Sequence, residues 1–268
     1  MTTAASTSPA SAFRAGPAFR PVDLVWTLIR TDFKTRYHGT YAGFLWALLR
    51  PLALVLVLMG VFAFVFGNRP SYTTYLVSGL LLYDFFTDAT KAGLSSLLSK
   101  SFLLNKTVAP AWIIVVTSIS NAVITVVTVW AVFLTVLVIA GRAPGAGALA
   151  LMLLYGVHYV VIVVGISLAL SVLFLVYRDL NEVWDLVTHA GFFVAPIIYP
   201  LDIMPQRLHA WLYLWPPTPI IQFTRSVLVD GKVPTLKAHL LLSTEAACIL
   251  VLGILVFRHF RPRIAEYV

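Results

Sequence analysis

Two stretches of this chain, 112–140 and 149–177, each run for 29 residues without a single Lys, Arg, Asp or Glu. A helix of about 20 apolar residues already crosses the hydrocarbon layer of a bilayer. Lipid offers no partner to backbone polar groups, so a helix that satisfies its own is the form such runs must take. The fold class that follows is an all-α integral membrane protein. Composition agrees, because only 11% of the residues are charged and 60% are hydrophobic, whereas a soluble domain carries roughly a quarter charged residues. Six transmembrane helices are expected, over 43–66, 72–90, 112–140, 149–177, 183–199 and 238–257. The third and fourth are long enough to tilt, while the fifth is short and closes on Pro196 and Pro200.

Outside these runs the pattern changes. Residues 1–20 are rich in Ala, Ser, Thr and Pro and lack the apolar core of roughly 7–15 residues that a signal peptide needs. They read as a disordered cytoplasmic tail. Over 21–38, Val22, Val25, Trp26, Ile29, Phe33 and Tyr37 recur at helical spacing, with Thr27, Arg30 and Lys34 on the other side. That is a basic amphipathic helix lying in the membrane interface. Residues 39–260 then form the transmembrane domain, and 261–268 a short cytoplasmic C-terminal tail. The stretch 201–237 is neither a clean span nor a polar loop, with Trp211, Tyr213 and Trp215 leading into Pro216-Pro217-Thr218-Pro219 and Ile220-Ile221. A re-entrant pair of short helices broken at the prolines is expected between spans five and six. Irregular backbone at membrane depth must be buried in protein or line a wet cavity. The plainer alternative is an interfacial loop carrying an aromatic belt.

The net charge of +8 sits in short loops and ends, where it sets topology and gives no sign of nucleic-acid binding. With the N-terminus inside, thirteen Lys and Arg fall on the inner side and six on the outer, which puts both termini in the cytoplasm. A single cysteine, Cys248, rules out a disulfide within the chain. No GxxxxGK[ST] loop is present, since Gly231-Lys232 is followed by Val233, so no phosphate cradle is expected. The six histidines lack metal spacing; neither a metal site nor a catalytic residue is expected. His158 and His189 read as hydrogen-bonding groups between helices. Asp84 and Asp88 share one face of the second span, with Lys91 in reach of Asp88, and form either a polar cluster between helices or part of a hydrated path. Glu245 is a similar isolated case in the last span. Trp46 and Arg50, four apart near the inner headgroups, read as interfacial anchors or as a cationic entrance for a lipid phosphate.

The order of motifs is familiar. RTDFKTRYHGTYAGFLWALLRP (30–51) resembles the opening of the type-2 ABC exporter permeases that move lipid-linked polysaccharides. In that family a basic amphipathic helix leads into RY and then G-x-x-W-x-x-x-x-P, here Arg36-Tyr37, Gly43, Trp46 and Pro51. YLVSGLLLYDFF, LLNKTVAPAW, YRDLNEVW, APIIYPLDIMP and IIQFTRSVLVDGKVP are similar to later family segments in the same order. Two departures stand out: Ala195-Pro196 replaces the usual Ser-Pro, and the usual Asn-Pro is absent from the proline run.

The resemblance implies half of a transporter: a homodimer forming a channel in the bacterial inner membrane, each copy docked to a separate ABC ATPase. That ATPase, present in two copies, would bind the ATP and Mg; this chain binds no cofactor. The cargo implied is an undecaprenyl-diphosphate-linked or similar lipid-linked polysaccharide of O-antigen type, handled among membrane lipids. Arg36, Tyr37, Trp46 and Arg50 would form the entrance. Tyr72, Tyr75, Tyr83, Asp84, Asp88, Tyr155 and Tyr159 are candidates for the channel lining, where aromatic faces let sugar rings slide; helix packing accounts for them equally. Pro196, Pro200, Trp211, Trp215 and Arg225 would frame the exit, and Lys100, Asn105 and Lys106 would meet the ATPase. Within the family, teichoic acid, capsule or drug export are alternatives. Outside it, the alternative is an ion-coupled secondary transporter using the intramembrane carboxylates.

Overall fold

The computed structural model describes residues 21–37, 70–106 and 110–264, with isolated positions between 45 and 61. The expected tail 1–20 and most of the first span, including Trp46 and Arg50, lie outside the described residues. The described regular structure is entirely helical: α1 (Pro21–Tyr37), α2 (Pro70–Ser99), α3 (Ser101–Lys106), α4 (Ala111–Ile139), α5 (Ala146–Val176), α6 (Leu180–Val194), α7 (Gln206–Tyr213), α8 (Pro217–Leu228) and α9 (Leu236–Phe260), with short 3-10 turns at Leu201–Ile203 and Arg261–Arg263.

Among the described residues, α4, α5 and α9 are long and apolar enough to cross a membrane, with mean hydropathy of 2.4 to 2.8. Their ends fall within three residues of the expected third, fourth and sixth spans. Residues of α4 and α9 turned away from the bundle stay apolar, as at Ile139 (81% exposed) and Leu252 (61%). Such a surface suits hydrocarbon and not water.

The second expected span extends nine residues further than 90, to Ser99, because helical propensity continues after hydropathy fades. Its middle, from Leu76 to Ala89, is largely buried, and α2 forms the centre of the bundle. On its flanks lie α4 and α5; α9 packs on α5, α8 wedges against both α2 and α5, and α1 rests on α4. Where α5 crosses α9, a Cβ on Gly253 would stand 2.0 Å from the Gly165 carbonyl oxygen. Only glycine allows that approach, and close backbone contact is what holds helices together where lipid is as apolar as their side chains.

The fifth expected span is corrected at its end. Residues 183–199 read as one apolar run, but α6 stops at Val194 after 15 residues, a length of about 22 Å against a hydrocarbon layer of about 30 Å. Pro196 has no N–H to continue the ladder and pushes its predecessor out of the helical region. Ala195 accordingly sits at φ −66°, ψ 129°, and the chain continues through turns and bends to Pro200.

Candidate functional site: a clasped helix break

Ending a helix inside a bundle frees carbonyls that must find donors. Every carbonyl from Phe193 to Tyr199 has one. The Tyr199 hydroxyl donates to Phe193 O and Val194 O at 3.1 Å each, and Ile197 N donates to Ala195 O at 2.7 Å. Arg225 donates through Nη1 to Pro196 O at 2.5 Å and through Nη2 to Ile197 O at 2.8 Å. From α2, the Tyr72 hydroxyl reaches Ile198 O and the Tyr75 hydroxyl reaches Tyr199 O, both at 3.1 Å. The break is thus laced shut by α2 and α8.

Arg225 is the centre of this arrangement. It is 2% exposed, and its Nε donates to Tyr75 O at 3.0 Å. Its guanidinium carbon lies 3.5 Å from the centre of the Tyr75 ring, a cation–π contact. Among the described residues no carboxylate pairs with it; carbonyl dipoles and a ring face take that part. Hydrogen bonds to a charged group contribute about 1.5–3 kcal/mol each, which offsets the cost of withdrawing the guanidinium from water. Gly79 makes the room, since a Cβ there would stand 2.1 Å from Nη2. α8 begins at Pro217, where a missing N–H costs nothing, and its face from Pro217 to Ile221 is buried. By contrast α7 has no buried residue, and Trp211 is 71% exposed.

Below the clasp lies an aromatic cluster. Phe86 packs edge-on to Trp215 at 5.6 Å and parallel to Tyr159 at 6.2 Å. Tyr83 donates to Thr188 O, Tyr159 to Leu82 O at 3.0 Å, and Tyr155 meets His239 Nε2 at 2.9 Å. Tyr83, Tyr155 and Tyr159 are buried inside this one chain, whereas Tyr72 and Tyr75 keep partial exposure at the rim. His158 Nε2 bonds Ser243 Oγ at 3.0 Å, joining α5 to α9 as its position in a span predicts. His189 bonds within its own helix, to Asp185 O at 2.7 Å.

At the opposite end of α2, Lys100 pairs with Asp32 of α1 and donates to Ser118 Oγ of α4 at 2.7 Å. The amphipathic helix is therefore tethered to the bundle. Arg36 and Tyr37 lie in α1 and Asn105 and Lys106 in α3, but their side chains are outside the described residues. Asp84 and Asp88 are half-buried in α2. Lys91, within reach of Asp88 by local spacing, forms an ion pair with Asp185 of α6 at 2.6 Å.

The profile of the ABC-2 type transporter family matches residues 23–229. The chain belongs to this family. The ABC-2 match begins in α1 and ends just past α8, so it takes in both the tether and the clasp. The chain is 25% identical to the O-antigen export system permease protein RfbA of Klebsiella pneumoniae over 246 residues, covering 91% of this chain and 94% of that one. It is also 25% identical to RfbA of Myxococcus xanthus over 254 residues, with the same coverage. The polysialic acid transport protein KpsM of Escherichia coli is 21% identical over 213 residues, 78% of this chain and 82% of that one.

In this ABC-2 permease Arg225, Pro196, Tyr72 and Tyr75 are candidates that the sequence offers, but it does not show that they meet, nor that Gly79 and Tyr199 complete the clasp. A usable signal existed: Arg225 stands within the apolar Ile220–Val229 neighbourhood with no acidic residue until Asp230, and such a cation must find acceptors in the fold.

Proposed function

We propose that the chain is the permease half of an ATP-driven exporter of a lipid-linked polysaccharide of O-antigen type. The observation that carries this reading is the similarity to O-antigen export permeases across 91% of this chain and 94% of theirs. Two copies form the channel in the inner membrane, and two ABC ATPase subunits drive it from the cytoplasm. The chain crosses six times, both termini lie inside, and α7 and α8 are the re-entrant pair at the outer face. Arg36, Tyr37, Trp46 and Arg50 admit the lipid diphosphate. Tyr72 and Tyr75, at the rim of the clasp, border the exit together with Trp211. With Lys100 engaged by Asp32, the ATPase contact falls to exposed Phe102 and the neighbouring Asn105 and Lys106.

The similarity to a polysialic acid transporter supports a capsule-type polymer as the second reading, on lower identity and coverage. Deleting the gene and locating the polymer tests the proposal. Lipid-linked O-antigen polymer should accumulate in the cytoplasmic leaflet and vanish from the surface. An unchanged surface polymer would overturn export, and loss of a capsule alone would favour the second reading.

A further inference from the structure

At the Lys100 end of the bundle, α4 and α9 both pack on α5 but do not close on each other. They leave an apolar groove of about 460 Å³, walled by Val116, Val164 and Leu250, with Trp112 beside it and Arg258 and Arg261 in its lining. Trp112 is 49% exposed, at the level where indole rings mark the membrane–water boundary. Both arginines are exposed, and among the described residues neither forms an ion pair. The helices that flank the groove, α4 and α9, are the ones whose outer faces are apolar and turned to lipid.

We infer that this groove is a binding site for an anionic phospholipid of the surrounding bilayer, with an acyl chain along Val116, Val164 and Leu250 and the headgroup phosphate on Arg258 and Arg261. The chemistry is complementary at both ends. An apolar trough open to hydrocarbon admits a chain without desolvating a polar group. Guanidinium groups bind phosphate oxygens through paired N–H donors. Basic pockets between membrane helices on the cytoplasmic side take up anionic headgroups by this logic. The proposed orientation supplies only the leaflet; the site itself does not depend on what the protein exports. A bilayer lipid is favoured over the exported cargo because the groove is walled by α4 and α9, whose exposed faces are apolar, and shares no lining residue with the clasp. The bound lipid would brace the end of α9 against α4, a pair with few contacts of their own.

The test is native mass spectrometry of the full chain, purified in mild detergent and titrated with phosphatidylglycerol, phosphatidylethanolamine or a polyprenyl diphosphate. The wild type should retain phosphatidylglycerol preferentially. R258Q/R261Q should lower that retention about thirtyfold, the Boltzmann equivalent of two basic side chains attracting an anionic headgroup, and leave phosphatidylethanolamine binding unchanged. Val164→Phe, which fills the trough and keeps both charges, should lower retention of either phospholipid. Phosphatidylglycerol retention that is equal in wild type and R258Q/R261Q overturns the proposal. So does arginine-dependent binding of polyprenyl diphosphate without phosphatidylglycerol, which would make the groove a cargo site.

Discussion

A single glycine and a single arginine define the clasped end of this molecule. Arg225→Ala would leave the Pro196 and Ile197 carbonyls buried without their donors, and each such acceptor costs about 1–3 kcal/mol. The variant should melt at a lower temperature in detergent, and less of it should reach the membrane. Gly79→Ala attacks the same contact from the other side, because its Cβ would stand 2.1 Å from Nη2. Both substitutions disrupt one interaction, so the double variant should lose less than the sum of the two, as a double-mutant cycle would measure. Strict additivity would mean that Gly79 and Arg225 act independently and that the clasp is wrongly drawn. At this scale the sequence was least legible. Spacing shows only neighbours on one helix, which is why it could not point from Lys91 to Asp185, its ion-pair partner on α6.

At the scale of elements, α1 carries the most testable contact. Its amphipathic pattern was plain in the sequence, and the helix spans Pro21–Tyr37 as expected, but nothing in the pattern told where it docks. Asp32 and Lys100 fix that. Reversing either charge alone should free α1, raising hydrogen exchange across 21–37 by the equivalent of about 1.5–3 kcal/mol. Asp32→Lys combined with Lys100→Asp should restore protection. If the single variants exchange like the wild type, the ion pair is not the tether. The apolar helices α4, α5 and α9 were legible because hydropathy is a property of the run itself. The end of α6 was not, because Ile197-Ile198-Tyr199 continues the apolar run while Pro196 has already broken the ladder. Hydropathy registers side chains; the break is a backbone event.

For the whole molecule, the distribution of Lys and Arg makes a firm prediction of sidedness. In a Cys248→Ser background, a cysteine replacing Ala143, in the turn between α4 and α5, should react with an impermeant maleimide in intact cells. One replacing His259 should react only after lysis. The reverse labelling would invert the topology and move the clasp to the cytoplasmic face.

The clasp also bears on how such a protein can be powered. In carriers that run on ion gradients, a broken helix turns its freed carbonyls toward a cation that arrives, binds and departs. Here the carbonyls of the break already accept hydrogen bonds, and the positive charge among them is covalently part of the chain. Arg225 is a resident cation that never leaves. A site whose ion cannot dissociate cannot harvest a gradient, so this helix break, unlike those of such carriers, is a fixed joint and not a coupling site.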